Sequence, residues 1–190
     1  IKAGVMRGSG LFTNMKGVEM NERKDLVTMK GNPLTLTGKE VKVGQDAPDF
    51  EVTGNDMSRV KFSSFQGKVC IILSVPSLDT PICDIETRWF NQQATGLSDN
   101  VEVIAISMDL PFAQARWCGS SGVDRVVTLS DYFDGQFGLA YGVLIKELRL
   151  LARSIFLVDS KGILRYTQLV TEVTNEPDYE AVLAAVKKLI

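Results

Sequence analysis

Histidine is absent from this chain. That absence removes Ser-His-Asp and Cys-His catalysis, histidine-ligated metal sites and a histidine general base together. Any nucleophile must therefore be activated by other means. Cysteine is scarce, with residues at 70, 83 and 118 only. Three cysteines at these spacings build neither a structural zinc site nor the multi-bridge framework of a small secreted domain. Either they are inert core thiols or some of them carry redox chemistry.

Long apolar runs are also missing. No stretch approaches the roughly 18 consecutive apolar residues of a membrane span, and the first residues lack the charged and apolar regions of a secretory leader. The expectation is a cytoplasmic protein without a membrane partner. A large charge of one sign is lacking too: the formal net charge is −2, with no basic field of the kind that binds phosphate backbones. Nucleic acid is not expected as a partner. With 190 residues, 45% of them hydrophobic, the chain can bury one full core. Residues 1–14 are glycine-rich and aperiodic and read as a tag or tail, leaving 15–190 as one domain.

The residues present alternate between strand and helix patterns. Residues 33–43 (PLTLTGKEVKV) alternate apolar and polar on both sides of Thr37-Gly38 and read as an N-terminal β-hairpin. Short strands are expected at 50–53 and 60–62, and a strand covered on both faces at 68–75 (KVCIILSV). Helical spacing runs from Cys83 to about Ala94, and a second buried strand is expected at 101–107. A helix from Pro111 to about Cys118, a strand at 124–129 and a short helix at 132–141 follow. Residues 151–159 and 163–169 flank Ser160-Lys161-Gly162 as a hairpin, and 178–190 closes the chain as a helix. This order gives an α/β layer fold with a mixed, thioredoxin-like central sheet: parallel βαβ units first, an antiparallel hairpin last.

The chemistry concentrates around Cys83, in the run Pro76-Ser77-Leu78-Asp79-Thr80-Pro81-Ile82-Cys83. Ligands bind at the carboxyl ends of strands in open α/β sheets, where the following helix presents its amino end. Unpaired N–H groups and the helix dipole there favour an anion and so bias a first-turn thiol toward thiolate. Thr80, three residues earlier, can reach the sulfur or a bound oxygen, or can cap the helix. Pro76 and Pro81 stiffen the loop. Arg153 opens an apolar strand, where a guanidinium is costly unless it faces an anion. Arg88 is a second cation near the helix start, or a solvated helix residue. Asp79, Asp84 and Glu86 read as favourable decoration of the helix amino end. Cys70, inside a buried strand, reads as a small hydrophobe. Trp89, Phe90 and Trp117 read as core or subunit-contact aromatics.

The signature Pro76-x-x-x-Thr80-x-x-Cys83, with Arg153 on a late strand, resembles the active site of peroxiredoxins. The likeness extends through Gly31-Asn32-Pro33, Asp109-Leu110-Pro111-Phe112-Ala113-Gln114, Arg116-Trp117-Cys118-Gly119 and Glu176-Pro177-Asp178-Tyr179-Glu180-Ala181, which resemble bacterial thiol peroxidases of the atypical two-cysteine branch. Residues 142–151 depart from that pattern, being short and poor in glycine.

The resemblance implies a thiol peroxidase without a metal or other cofactor. Cys83 would attack hydrogen peroxide or an organic hydroperoxide, with Thr80 and Arg153 holding the substrate and Pro76 and Arg88 in support. Cys118 would resolve the sulfenic acid as an intrachain disulfide, reduced in turn by thioredoxin or a similar dithiol. It also implies a homodimer. A disulfide needs Cα atoms within about 4.4–6.8 Å, so local unwinding at both cysteines is expected, helped by Gly119-Ser120-Ser121-Gly122. The alternatives are a peroxide sensor using the same cysteines and a thiol-disulfide oxidoreductase. The latter would want a second cysteine at position 86, which is Glu.

Overall fold

The computed structural model describes residues 21–190; the tail expected at 1–14 lies outside them. Two strands open the described chain, β1 (Glu22–Met29) and β2 (Asn32–Thr37), paired antiparallel. Then come β3 (Glu51–Gly54), β4 (Arg59–Lys61), a 3₁₀ turn at Phe62–Phe65, and β5 (Val69–Ser74). The parallel units follow as α1 (Pro81–Ala94), β6 (Val101–Ser107), α2 (Pro111–Ser121) and β7 (Val126–Ser130). The last third holds α3 (Gln136–Ala140), β8 (Leu144–Ile145), β9 (Leu150–Leu151), β10 (Ser154–Val158), β11 (Leu164–Leu169) and α4 (Tyr179–Val186).

The central sheet has seven strands in the order β11-β10-β5-β6-β7-β3-β4. Strands β5, β6 and β7 run parallel and the rest antiparallel, the mixed arrangement expected of a thioredoxin-like fold. Period-two alternation sends neighbouring residues of β5 to opposite faces. Ile71 and Leu73 join Phe90, Ala94, Trp117, Val182 and Val186 under α1, α2 and α4. Cys70 and Ile72 join Phe50, Phe137, Tyr141 and Phe156 on the other side, with the first two strands and α3. Both faces are covered, which is why the strand is apolar from Val69 to Leu73.

The amino-terminal hairpin exists, but not where residues 33–43 placed it. Its turn is Lys30-Gly31, both with positive φ (51° and 76°), the backbone of a two-residue primed turn. Gly38 serves a different purpose. A Cβ there would lie 2.2 Å from the Leu139 carbonyl oxygen, so only glycine lets the chain cross the end of α3, where Lys39 N–H donates to that same oxygen. The hairpin also gains partners that periodicity did not reveal. Strands β8 and β9, from the segment that departs from the family pattern, extend it into a sheet of order β1-β2-β8-β9. The helix expected at 132–141 is shorter, because Asp131 accepts from the N–H groups of Phe137 (3.1 Å) and Gly138 (2.8 Å) and fixes its start.

Candidate active site

Strand β5 delivers the chain to the site. Beyond Ser74 the buried Val75 and Pro76 lead into a tight turn in which the Thr80 N–H donates to the Ser77 carbonyl (3.1 Å). The turn is tied to the next βα loop, since Leu78 N–H donates to Asp109 Oδ2 (2.8 Å) and that oxygen also accepts from Ser107 Oγ (2.8 Å). Thr80 is extended and precedes Pro81, the first residue of α1. Proline is tolerated there because a first-turn N–H has no partner within the helix. Cys83 is therefore the third residue of α1, and its side chain is fully buried.

Thr80 makes no side-chain cap. Its hydroxyl donates to the Ser77 carbonyl at 2.9 Å, which leaves the oxygen's lone pairs free to accept. Because nothing on Thr80 caps the helix, the first-turn N–H groups of Ile82 and Cys83 retain their capacity to face an anion.

Arg153 reaches the sulfur because of strand register. Strand β10 pairs antiparallel with β5, with Ser154 opposite Ser74, so Arg153 falls beside the point where β5 gives way to the active-site turn. The arginine is 1% exposed. Its Nη2 donates to Cys83 Sγ at 3.3 Å, and Nη2 and Nε each donate to the Val173 carbonyl at 3.2 Å. Nη1 pairs with the Glu86 carboxylate. A buried guanidinium thus has partners on every arm, one of them the sulfur.

Glu86 corrects the reading of acidic residues as surface decoration. It is fully buried and ion-paired with Arg153, whereas Asp79 meets Arg116 near the surface (3.3 Å). The available signal was its spacing: one turn after Cys83 on the same helix face, it had to share the sulfur's buried environment. Burial pushes the Glu86 carboxyl up to about 7, against the pull of Arg153. Burial also opposes the charge on Arg153, but Glu86 and Cys83 together more than compensate and the net shift is upward. One Glu86 oxygen, Oε1, is buried without a partner.

Arg88 is not brought to the sulfur. Its Nε donates to both oxygens of Asp84 (2.9 Å each), and its two other nitrogens donate to the Ser121 carbonyl (2.7 Å) and hydroxyl (2.8 Å). It also lies 5.9 Å from the Trp117 ring centroid. With Trp117 Nε1 donating to Asp84 (3.0 Å), these bonds clamp the start of α1 to the end of α2.

Cys118 lies in the last turns of α2, half-buried, with its Sγ 3.3 Å from Thr128 Oγ1 on β7. Residues 119–121, expected to lie past the helix end near Cys118, continue the helix, and Gly122 ends it in the left-handed conformation. All three cysteines are free. Cys70 is the core thiol expected, 1% exposed and pushed up to about 12 by burial and then by Glu102. Trp117 and Phe90 are core aromatics, and Trp89 packs on Tyr179 with centroids 4.4 Å apart and rings tilted by 32°.

Residues 42–183 match the Redoxin family model. Thiol peroxidases from Oceanobacillus iheyensis and Bacillus subtilis are each 54% identical to the chain, over 85% and 86% of it respectively, and each match covers 98% of the relative. The chain belongs to the thiol peroxidase family. A peroxiredoxin-like protein from Aquifex aeolicus superposes with a TM-score of 0.82 at 43% identity, covering 90% of this chain and 99% of that one. A thiol peroxidase from Chromobacterium violaceum superposes at 0.76 with 20% identity, over 85% and 95% of the two chains, a likeness of fold. Within this thiol peroxidase family member, Arg153, just before β10, reaches Cys83 in α1, and Thr80 is the residue that precedes that helix. Arg88 and Cys118 meet Asp84 and Thr128 instead.

Proposed function

We propose that this thiol peroxidase reduces hydroperoxides with Cys83 as the attacking thiolate and Cys118 as the resolving thiol. The observation that carries the reading is the Arg153 Nη2 donation to Cys83 Sγ inside a buried site. A guanidinium that stays charged and is fixed by Glu86 and the Val173 carbonyl is a ready electrostatic partner for sulfur and for charge developing on oxygen.

In the first step the thiolate attacks the terminal peroxide oxygen. The S–O bond forms as the O–O bond breaks, and the leaving oxygen takes from solvent the proton that Cys83 released on ionising, departing as water or an alcohol. Thr80 accepts from the incoming peroxide O–H, while Arg153 and the free N–H groups of Ile82 and Cys83 face the charge that shifts along the O–O axis. Cys118 sulfur then attacks the sulfenic sulfur; an S–S bond forms and the oxygen leaves as water. A dithiol of the thioredoxin type reduces the disulfide by thiol exchange.

The sulfur is covered, and Cys118 bonds β7 rather than Cys83. Both peroxide entry and disulfide formation therefore call for loosening of the first turn of α1 and the last turn of α2. Leu110, Phe112 and Phe133 support the homodimer reading. Phe112 is 66% and Phe133 68% exposed, and these side chains lie in segments that leave the same end of the parallel strands as the active-site turn. Among the described residues no helix is long and apolar enough to cross a membrane; a cytoplasmic location belongs to this reading. Glu at position 86 disfavours a thiol-disulfide oxidoreductase, and a peroxide sensor would not turn over.

The test is consumption of hydrogen peroxide and cumene hydroperoxide with a thioredoxin system. Cys83→Ser should lose all activity and Cys118→Ser should keep a single turnover. Retained turnover in Cys83→Ser overturns the assignment, and a parent protein that stops after one turnover with reductant in excess favours the sensor.

A further inference from the structure

Arg153 is also held by the Val173 carbonyl, which accepts from Nε and from Nη2, the nitrogen on the sulfur, at 3.2 Å each. Residues 171–173 belong to no regular strand. They are held on the backbone of β1, where Thr28 N–H donates to the Thr171 carbonyl (2.7 Å) and Val173 N–H donates to the Thr28 carbonyl (2.9 Å). Between these two bonds sits Glu172. Its carboxylate accepts five hydrogen bonds: from Thr28 Oγ1 (2.8 Å), Lys30 N–H (2.9 Å), Gly31 N–H (3.1 Å), Thr174 N–H (3.2 Å) and Thr174 Oγ1 (2.6 Å). Lys30 and Gly31 form the positive-φ turn of the hairpin, whose successive N–H groups make a concavity suited to an anion.

We infer that Glu172 is a positioning residue for the peroxidase reaction: it locks the amino-terminal hairpin to residues 171–174 and thereby fixes the carbonyl that aims Arg153 at Cys83. The inference rests on the roles given above to Cys83 and Arg153. Two supports orient the guanidinium, and they differ in kind. Glu86 is carried by α1, the helix whose first turn has to loosen during the cycle. Val173 is carried by a segment anchored to the hairpin and independent of that helix. When the first turn of α1 gives way, the Glu172 side is the support that stays. The hydrogen bonds to Glu172 hold its carboxyl far below the ordinary range, so the anchor is a carboxylate at neutral pH.

The experiment uses Glu172→Ala, Glu172→Gln and Thr28→Val in a Cys118→Ser background, where Cys83 oxidation is a single turnover. Two rate constants are compared, for hydrogen peroxide and for iodoacetamide. Alkylation needs an exposed thiolate but no guanidinium placed along an O–O bond. Misplacing such a group by an ångström costs roughly ten- to a hundredfold, and Glu172→Ala should lower the peroxide rate by that factor while changing alkylation far less. Glu172→Gln, which keeps one acceptor oxygen, and Thr28→Val, which removes one donor, should show the same selective loss in smaller measure, and they carry the test if the alanine variant does not fold. An unchanged peroxide rate, or an equal fall in both rates, overturns the inference. Arg153→Lys separates the two levels. A full peroxide rate there overturns the reading of Arg153 itself, whereas its loss beside normal Glu172 variants overturns only the role of Glu172.

Discussion

Glu86→Gln probes the buried carboxylate that touches the reactive arginine. Glu86 is fully buried and titrates near 7, against an ordinary value of 4.5. The folded state therefore binds a proton more tightly than the unfolded chain. A raised folded value means that this group's stabilising contribution is complete below about 4.5 and is lost as pH rises through about 7. Between pH 5 and pH 8 that change amounts to roughly 2–3 kcal/mol. Glutamine keeps the shape and an oxygen for Arg153 Nη1 but cannot titrate. Other groups contribute slopes of their own, above all Asp131, but parent and variant share them, so their difference isolates Glu86. Urea unfolding of both proteins under reductant, at half-unit steps across this range, is the assay. Relative to the parent, the variant should gain roughly 2–3 kcal/mol on going from pH 5 to pH 8. A difference that stays flat would mean that Glu86 is ionised throughout, with the attraction of Arg153 outweighing desolvation, and the reasoning would be refuted. Glu86→Ala provides the contrasting case. It leaves a buried guanidinium without its counter-charge and should cost about 3–5 kcal/mol.

Two further outcomes are expected. Asp131 titrates near 7 because of burial, and it holds the N–H groups of Phe137 and Gly138. Asp131→Ala should cost about 1–3 kcal/mol in chemical denaturation and should leave the single-turnover peroxide rate unaltered, since Asp131 fixes α3 and not the site. If Cys83 and Cys118 form a disulfide, amide exchange in residues 81–85 and 116–122 should quicken in the oxidised protein relative to the reduced one. Identical exchange in both forms would rule out local unwinding.

The sequence by itself determined what depends on local patterns. The apolar run at 68–75 pointed to a strand covered on both faces, and the loop of Pro76, Thr80 and Pro81 led into a helix near Cys83. The positions of β5, β6, α1 and the closing hairpin followed from periodicities that hold whatever the neighbours are. Cys70 was legible as a core thiol for the same reason. What only the tertiary structure decided were the pairings between distant segments. Glu86 looked like surface charge because helix amino ends attract carboxylates. It became a buried partner of Arg153 only when the register of β10 against β5 brought the arginine under that face. Arg88 read as a second cation for the sulfur or a solvated helix residue, until the packing of α1 on α2 committed its guanidinium to Asp84 and Ser121. The hairpin turn was misplaced at Gly38 because a glycine that permits close approach to Leu139 reads in sequence just like one that permits a turn. Local sequence fixes backbone and burial through interactions spanning a few residues, whereas the partners of a buried charge are chosen by strand register and helix packing, which join residues far apart in the chain.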